Sequence, residues 1–113
     1  MARENFKKNI IVKVLNTANS IAYEKNSIVS NTIVKKKSGT ITLFSFDCGQ
    51  GLSEHTAPFD ALIYIIEGRA RIYIAKKPYK VSKDKMIILP ANKPHAVKAI
   101  TKFKMMLVMI KSK

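Results

Sequence analysis

The chain has no tryptophan, a single cysteine, four glycines and four prolines in its 113 residues. One cysteine, Cys48, closes no internal disulfide, so a reducing compartment and hence the cytoplasm is expected, with Cys48 read as a buried, inert thiol. No apolar run approaches the roughly 20 residues that cross a bilayer, and no membrane partner is expected. The N-terminus is basic, but Lys13 splits its apolar stretch and no small-residue cleavage site follows, so a secretory leader is not expected either. Acidic residues are scarce: seven Asp and Glu against 21 Lys and Arg leave a formal charge of +14. Arginine is scarce within that excess. Only Arg3, Arg69 and Arg71 offer the planar fork suited to phosphates and guanine edges. The lysines are dispersed, 35–37 being the longest run, with no RNP-like string, zinc-finger spacing or basic helix. A solvated lysine-rich surface that helps recruit an anionic small molecule is expected, and a nucleic-acid partner is not.

Hydrophobic residues make up 47% of the chain, which excludes disorder. A chain of this length buries roughly 65% of its unfolded surface and needs no metal or disulfide staple to do so. One domain over 1–113 is expected. Most segments alternate, or run apolar for four to eight residues, and are rich in β-branched and aromatic types. Strands are predicted at 10–15, 27–34, 40–47, 61–67, 70–75, 86–89, 96–100 and 104–110, with turns at 38–39, 48–51, 67–68, 76–78 and 90–94. Gly39 and Gly68 suit short turns that want a positive φ. No stretch shows a clean helical period with caps. An all-β sandwich or barrel follows, with 1–26 as an N-terminal strand or arm and 40–110 as the core.

The strand at 61–67 is apolar on both faces, and Leu62, Tyr64 and Ile66 would make an outward patch that a monomer seldom exposes. The run 103–110 is two-faced as well, its three methionines serving as adaptable packing. A homodimer is expected on these grounds.

Two segments carry specific information. One runs from Gly51 through His55, Thr56, Ala57, Pro58, Phe59, Asp60 and Ala61 to Glu67 and Gly68. The other runs from Asp84 through Pro90, Ala91, Asn92, Lys93 and Pro94 to His95. Their spacing resembles the two motifs of a small single-domain cupin of the RmlC-like superfamily. That resemblance implies a jelly-roll barrel, a double-stranded β-helix of six to eight strands, often dimeric. His55 matches the first motif's first histidine and His95 the metal-binding histidine of the second. Ala57 stands at the second histidine position, Ala61 at the glutamate and Ala99 at the final asparagine. Asp84 replaces a glycine, Pro90 is retained, and Asn92 occupies the turn glycine, where asparagine tolerates the same left-handed backbone.

Of the metal set the resemblance implies, two histidines remain and two ligands are alanine. A tight divalent transition metal takes three protein ligands or more, or two histidines and a carboxylate. Asp60 is the candidate third ligand beside His55 and His95; Glu54, adjacent to His55, points to the opposite face in a regular strand. No cofactor is certain. His55, Ala57, Asp60, Ala61, Ile63 and His95 are the candidate ligand-binding residues, Ile65 lies on the same face, and Phe44 or Phe46 and Tyr64 or Tyr73 are candidate walls. These residues describe a narrow apolar cavity with a few polar handles. One function class is a binding module that holds a small organic ligand in the barrel, without a tightly bound metal. The alternative is an isomerase, decarboxylase or dioxygenase that acts on a small molecule through His55 and His95.

Overall fold

The computed structural model describes residues 2–4 and 10–111. Ten strands are seen among them: β1 (Ala2–Glu4), β2 (Ile28–Lys36), β3 (Gly39–Phe46), β4 (Gly51–His55), β5 (Phe59–Glu67), β6 (Arg69–Ile74), β7 (Lys77–Ser82), β8 (Met86–Leu89), β9 (His95–Ala99) and β10 (Phe103–Lys111). They form a six-stranded sheet in the order β1-β2-β3-β10-β5-β8 and a four-stranded sheet in the order β4-β9-β6-β7. All pairings are antiparallel except β1 with β2. This is the expected all-β double-sheet jelly roll.

Alternation along the central strands builds the core. Ala61, Ile63 and Ile65 of β5, Phe103 and Met105 of β10, and Ile28 and Phe46 face Ala70, Ile72, Val81, Val97 and Ala99 of the other sheet. Phe46 and Phe103 stack at its centre, ring centroids 4.5 Å apart. Gly68 makes the turn from β5 to β6 with φ +81°, and a Cβ there would lie 2.3 Å from the Lys102 carbonyl oxygen, so both backbone and space demand glycine. Gly39 differs from expectation. It is not among the residues of positive φ; instead the Met109 carbonyl oxygen stands 2.1 Å from where its Cβ would be.

Three sequence expectations fail. Residues 10–15 form no strand; 10–12 make a turn, and the segment lies exposed. The stretch 76–78, read as a turn, is one only at Lys76, since Lys77 and Pro78 already open β7. The turn lies at Ala75 and Lys76, which both have positive φ (49° and 69°), the pattern of a two-residue type I′ hairpin. Pro78 is tolerated because β7 is a sheet edge. Cys48 is exposed rather than buried, its thiol 3.6 Å from the Ile100 carbonyl oxygen. The polar strand β4 went unpredicted.

The outward face of β5 is only partly open. Ile66 is buried against Ile21, Val29 and Leu43, because residues 18–23 fold over that end of the six-stranded sheet. Three hydrogen bonds fasten this cover. Lys104 Nζ donates to the Ala18 carbonyl, Ser45 Oγ donates to the Ala22 carbonyl at 2.7 Å, and Tyr23 Oη donates to Glu67 Oε2 at 2.7 Å. On the outer face of the four-stranded sheet, register aligns Lys98, Arg71 and Lys80 in one row across β9, β6 and β7. None of the three has an ion-pair or hydrogen-bonding side-chain partner among the described residues.

Candidate functional site: a histidine pair over an apolar cavity

β4 ends on His55 and β9 begins on His95, and the antiparallel register sets the two residues directly opposite each other. Their rings meet edge to face, centroids 4.5 Å apart and planes at 69°. Each ring is held by its own strand: Nδ1 of His55 is 2.9 Å from the Ser53 carbonyl oxygen, and Nδ1 of His95 is 3.1 Å from that of Lys93. A carbonyl oxygen only accepts, so each Nδ1 carries the hydrogen and donates it. In the neutral ring Nε2 is then left as an acceptor with a free lone pair. Burial pushes His95 below the usual histidine range, and the neighbouring His55 adds to this, while the Lys93 carbonyl acts in the opposite direction. His95 is therefore neutral at neutral pH.

The loop before His95 is fixed from several sides. Asn92 adopts φ +64°, as its place in the motif requires, and its N–H donates to the Ala57 carbonyl at 2.8 Å. Ala91 N–H donates to Asp60 Oδ1 at 2.9 Å, and the Pro94 carbonyl accepts from Ala75 N–H at 2.8 Å. Asp84, at the other glycine position of the second motif, is likewise left-handed with φ +67° and accepts from Tyr64 Oη at 2.8 Å.

Beneath the rings lies a cavity of about 60 Å³. Of the predicted residues, the structure brings His55, Ala57, Ala61, Ile63 and His95 to its wall. Asp60 is not among its lining residues; as neighbour of Phe59 and Ala61, which do line it, Asp60 alternates to the other face and ties down the 90–94 loop. Ile65 is buried in the core rather than on the cavity wall, and none of Phe44, Phe46, Tyr64 and Tyr73 lines it. The aromatic wall is Phe59, and Leu52, Leu89, Val97, Met105, Leu107 and Met109 complete the lining. Sequence reasoning missed these. The signal was the alternation of β10, which sends 105, 107 and 109 to the same side as Phe103.

The donors do not suit the divalent metal that the motif resemblance implies. Both imidazoles have the arrangement a metal-bound histidine takes, with Nδ1–H on a carbonyl and Nε2 free. Yet no group of three His, Cys, Asp or Glu side chains able to hold a metal exists among the described residues. Ala57 and Ala61 supply methyl groups where ligands would stand, Asp60 is engaged by Ala91, and Glu54 pairs with Lys76 at 3.1 Å. Two imidazoles alone do not make the ligand set of a tight divalent site.

Comparison with known proteins agrees with this architecture. A conserved protein of unknown function from Streptococcus pyogenes is 34% identical, with a TM-score of 0.87 over 100% of this chain and 97% of that one. A cupin 2 conserved barrel domain protein from Leptotrichia buccalis is 39% identical, with a TM-score of 0.84 over 86% of this chain and 47% of that chain. A cupin superfamily protein from Desulfitobacterium hafniense is 27% identical, with a TM-score of 0.85 over 89% and 93% of the two chains. A search of curated proteins found no match. Among the described residues no helix is long and apolar enough to cross a membrane. The family model for the cupin domain matches residues 42–111, the stretch that holds both histidine-bearing motifs, and with it the chain belongs to the cupin family.

Proposed function

We propose that the protein binds a compact organic molecule in the barrel cavity, held at one end by His55 and His95, with no tightly bound divalent metal. The observation that carries this reading is the histidine pair itself, two rings with Nδ1 engaged and Nε2 free above an apolar hole. With Nδ1–H on a carbonyl, the Nε2 of a neutral imidazole accepts and does not donate, so the ligand presents a hydroxyl, amide N–H or similar donor to His95. Its remainder is apolar, to match the aliphatic and thioether lining. A water molecule needs roughly 10–15 Å³ of such space, so the cavity takes about four to six non-hydrogen atoms beyond the polar head. Larger ligands require the mouth at His55 to open.

The test is a titration of the labelled protein, read at the imidazole signals, with three matched probes: butanol, butyramide and butyrate. Butanol and butyramide are expected to shift both histidines, and Ala57→Leu and Ala61→Phe to abolish the shift. No response to any probe, or a response untouched by both substitutions, refutes the cavity assignment. Elemental analysis of protein purified without chelator completes the test. Near one equivalent of a transition metal would overturn the metal-free reading.

A second reading, catalysis through the same pair, is favoured by the lowered pKa of His95, which leaves a free base at neutral pH. It predicts that the protein catalyses deuterium exchange into a small ketone, and that His95→Gln abolishes the exchange.

A further inference from the structure

Arginine occurs three times in this chain, and two of the three stand two residues apart on one strand. Arg69 and Arg71 alternate to the outer face of β6 and are exposed, while Ala70 and Ile72 enter the core. β6 is an interior strand, so each arginine has a paired strand on either side. Lys98 of β9 and Lys80 of β7 are the register partners of Arg71, which sets three cations in a row about 10 Å long. The only acidic residue on the four strands of this sheet is Glu54, and its carboxylate pairs with Lys76 at 3.1 Å. Acidic residues that flank these strands in the chain are engaged too. Asp47 accepts from the Asn26 and Cys48 N–H groups, Glu67 from Tyr23 Oη and Asp84 from Tyr64 Oη.

A groove of about 490 Å³ adjoins the row, with Ser53, Arg71, Tyr73, Ala96 and Lys98 among its walls. Gly51 keeps the ground beside Lys98 low: a Cβ there would lie 2.5 Å from the Val97 carbonyl oxygen and 3.5 Å from Lys98 Cδ. Tyr73 shares the outer face with Arg71, and its register partners Ala96 and Pro78 are both short. Guanidinium, ammonium and phenol ring thus meet in one groove. Leu52 and Val97 pack inward and contribute to this groove and to the cavity alike, so β4 and β9 form a wall with an apolar cavity on one side and a cationic groove on the other.

We propose that this groove is a second binding site, for a small phosphate monoester that carries an unsaturated ring. The phosphate takes the centre of the row, where the Arg71 fork supplies two parallel N–H donors and Lys98 and Lys80 the flanking charge. The ring lies against Tyr73, over the low floor of Ala96 and Ser53. A dianion matches three cations better than a carboxylate does. A row of about 10 Å spans one or two phosphates, short of the roughly four or more nucleotides that a single-strand groove tracks.

Amide-shift titration of the labelled protein tests this, in chloride buffer of about 20 mM ionic strength without phosphate or sulfate. Phenyl phosphate is expected to shift the signals of β6 and β9, inorganic phosphate to bind roughly tenfold more weakly, and phenol not to bind there. Arg71→Lys keeps the charge and loses the fork, and is expected to weaken phenyl phosphate by roughly tenfold. Tyr73→Leu is expected to weaken phenyl phosphate and leave inorganic phosphate unchanged. Both positions lie on the outer face, and the parent's circular dichroism melt checks that each variant folds. The paired Lys35→Gln, Lys36→Gln variant, which removes two charges from the other sheet, is expected to bind as the parent does, and so are Ala57→Leu and Ala61→Phe. Affinity indifferent to Arg71→Lys reduces the groove to diffuse charge and overturns the proposal. Loss of binding in Ala61→Phe would place the phenyl phosphate in the barrel cavity and overturns it too. So does an oligothymidylate that binds far more tightly than phenyl phosphate with a steep salt dependence, which would make the occupant a nucleic-acid strand.

Discussion

Gly68 and Gly49 share a backbone conformation and differ in surroundings, which separates two costs that usually occur together. Their φ values are +81° and +84°. An L-residue in that region costs about 1–2 kcal/mol. At Gly49 a Cβ meets nothing within 4 Å, so Gly49→Ala is expected to cost that amount and no more. At Gly68 the same Cβ falls 2.3 Å from the Lys102 carbonyl oxygen and 2.7 Å from Phe103 Cβ. Phe103 is fully buried and stacked on Phe46, so the turn cannot retreat without disturbing the core. Overpacking of this kind adds about 1–3 kcal/mol, so that Gly68→Ala loses about 2–5 kcal/mol in all. At about 2.1 cal/mol/K per residue the unfolding entropy is roughly 0.24 kcal/mol/K. The melting temperature should then fall by about 4–8 °C for Gly49→Ala and about 8–20 °C for Gly68→Ala. Circular dichroism melts, with urea midpoints as a second measure, read this directly. Equal losses at the two positions, or a loss at Gly68 of only a few degrees, would refute the steric argument.

Other expectations concern the site and its scaffold. The folded state holds His95 below its ordinary pKa, so the unfolded chain binds the extra proton more readily. The contribution is whole above about pH 6.5 and is lost as pH falls through the folded value; an imidazole titration showing His95 above its ordinary range would contradict it. Replacing Ala75 and Lys76 by Asn and Gly should stabilise the β6–β7 hairpin by about 1 kcal/mol, since both φ are positive, minus the few tenths lost with the exposed Lys76–Glu54 pair. No rise in melting temperature would refute the type I′ assignment. Ile65→Ala, which opens a hole in the fully buried core, should cost about 2–5 kcal/mol in a urea titration.

Much of this could be read in the sequence because the fold's inward faces are written with a period of two. The strands predicted at 40–47, 61–67 and 104–110 stand where alternation puts them, and the motif resemblance singled out His55 and His95, which the structure sets opposite each other. The failures have physical causes. A β propensity is realised only when a neighbouring strand supplies the other half of the ladder, so 10–15 reads as a strand and is not one within its own chain. The Ala75–Lys76 turn lacks the Asn-Gly signature that would announce it, and β4 is polar because it lies on a sheet edge. Asp60 follows a proline, where facing is hardest to assign; the structure shows it supporting the loop that carries His95. That Met105, Leu107 and Met109 share one side could be read from the alternation of β10, but that this side walls the cavity depends on pairing with β5, distant in the chain, which no local pattern encodes.

The row formed by Lys98, Arg71 and Lys80 gives dissolved ions a part in the structure. Side chains directly opposite in a sheet sit about 5 Å apart, and like charges there repel. With no ion-pair partner for any of the three among the described residues, neutralisation falls to the surrounding electrolyte. Proteins held by surface ion pairs lose a little stability as salt is added, whereas this sheet should gain it, and more from a multivalent anion such as sulfate than from chloride at equal ionic strength. Lys98→Glu should flatten that dependence. Buffer composition is in this sense a component of the β9–β6–β7 surface, and a melting temperature quoted for the protein means little without the salt in which it was measured.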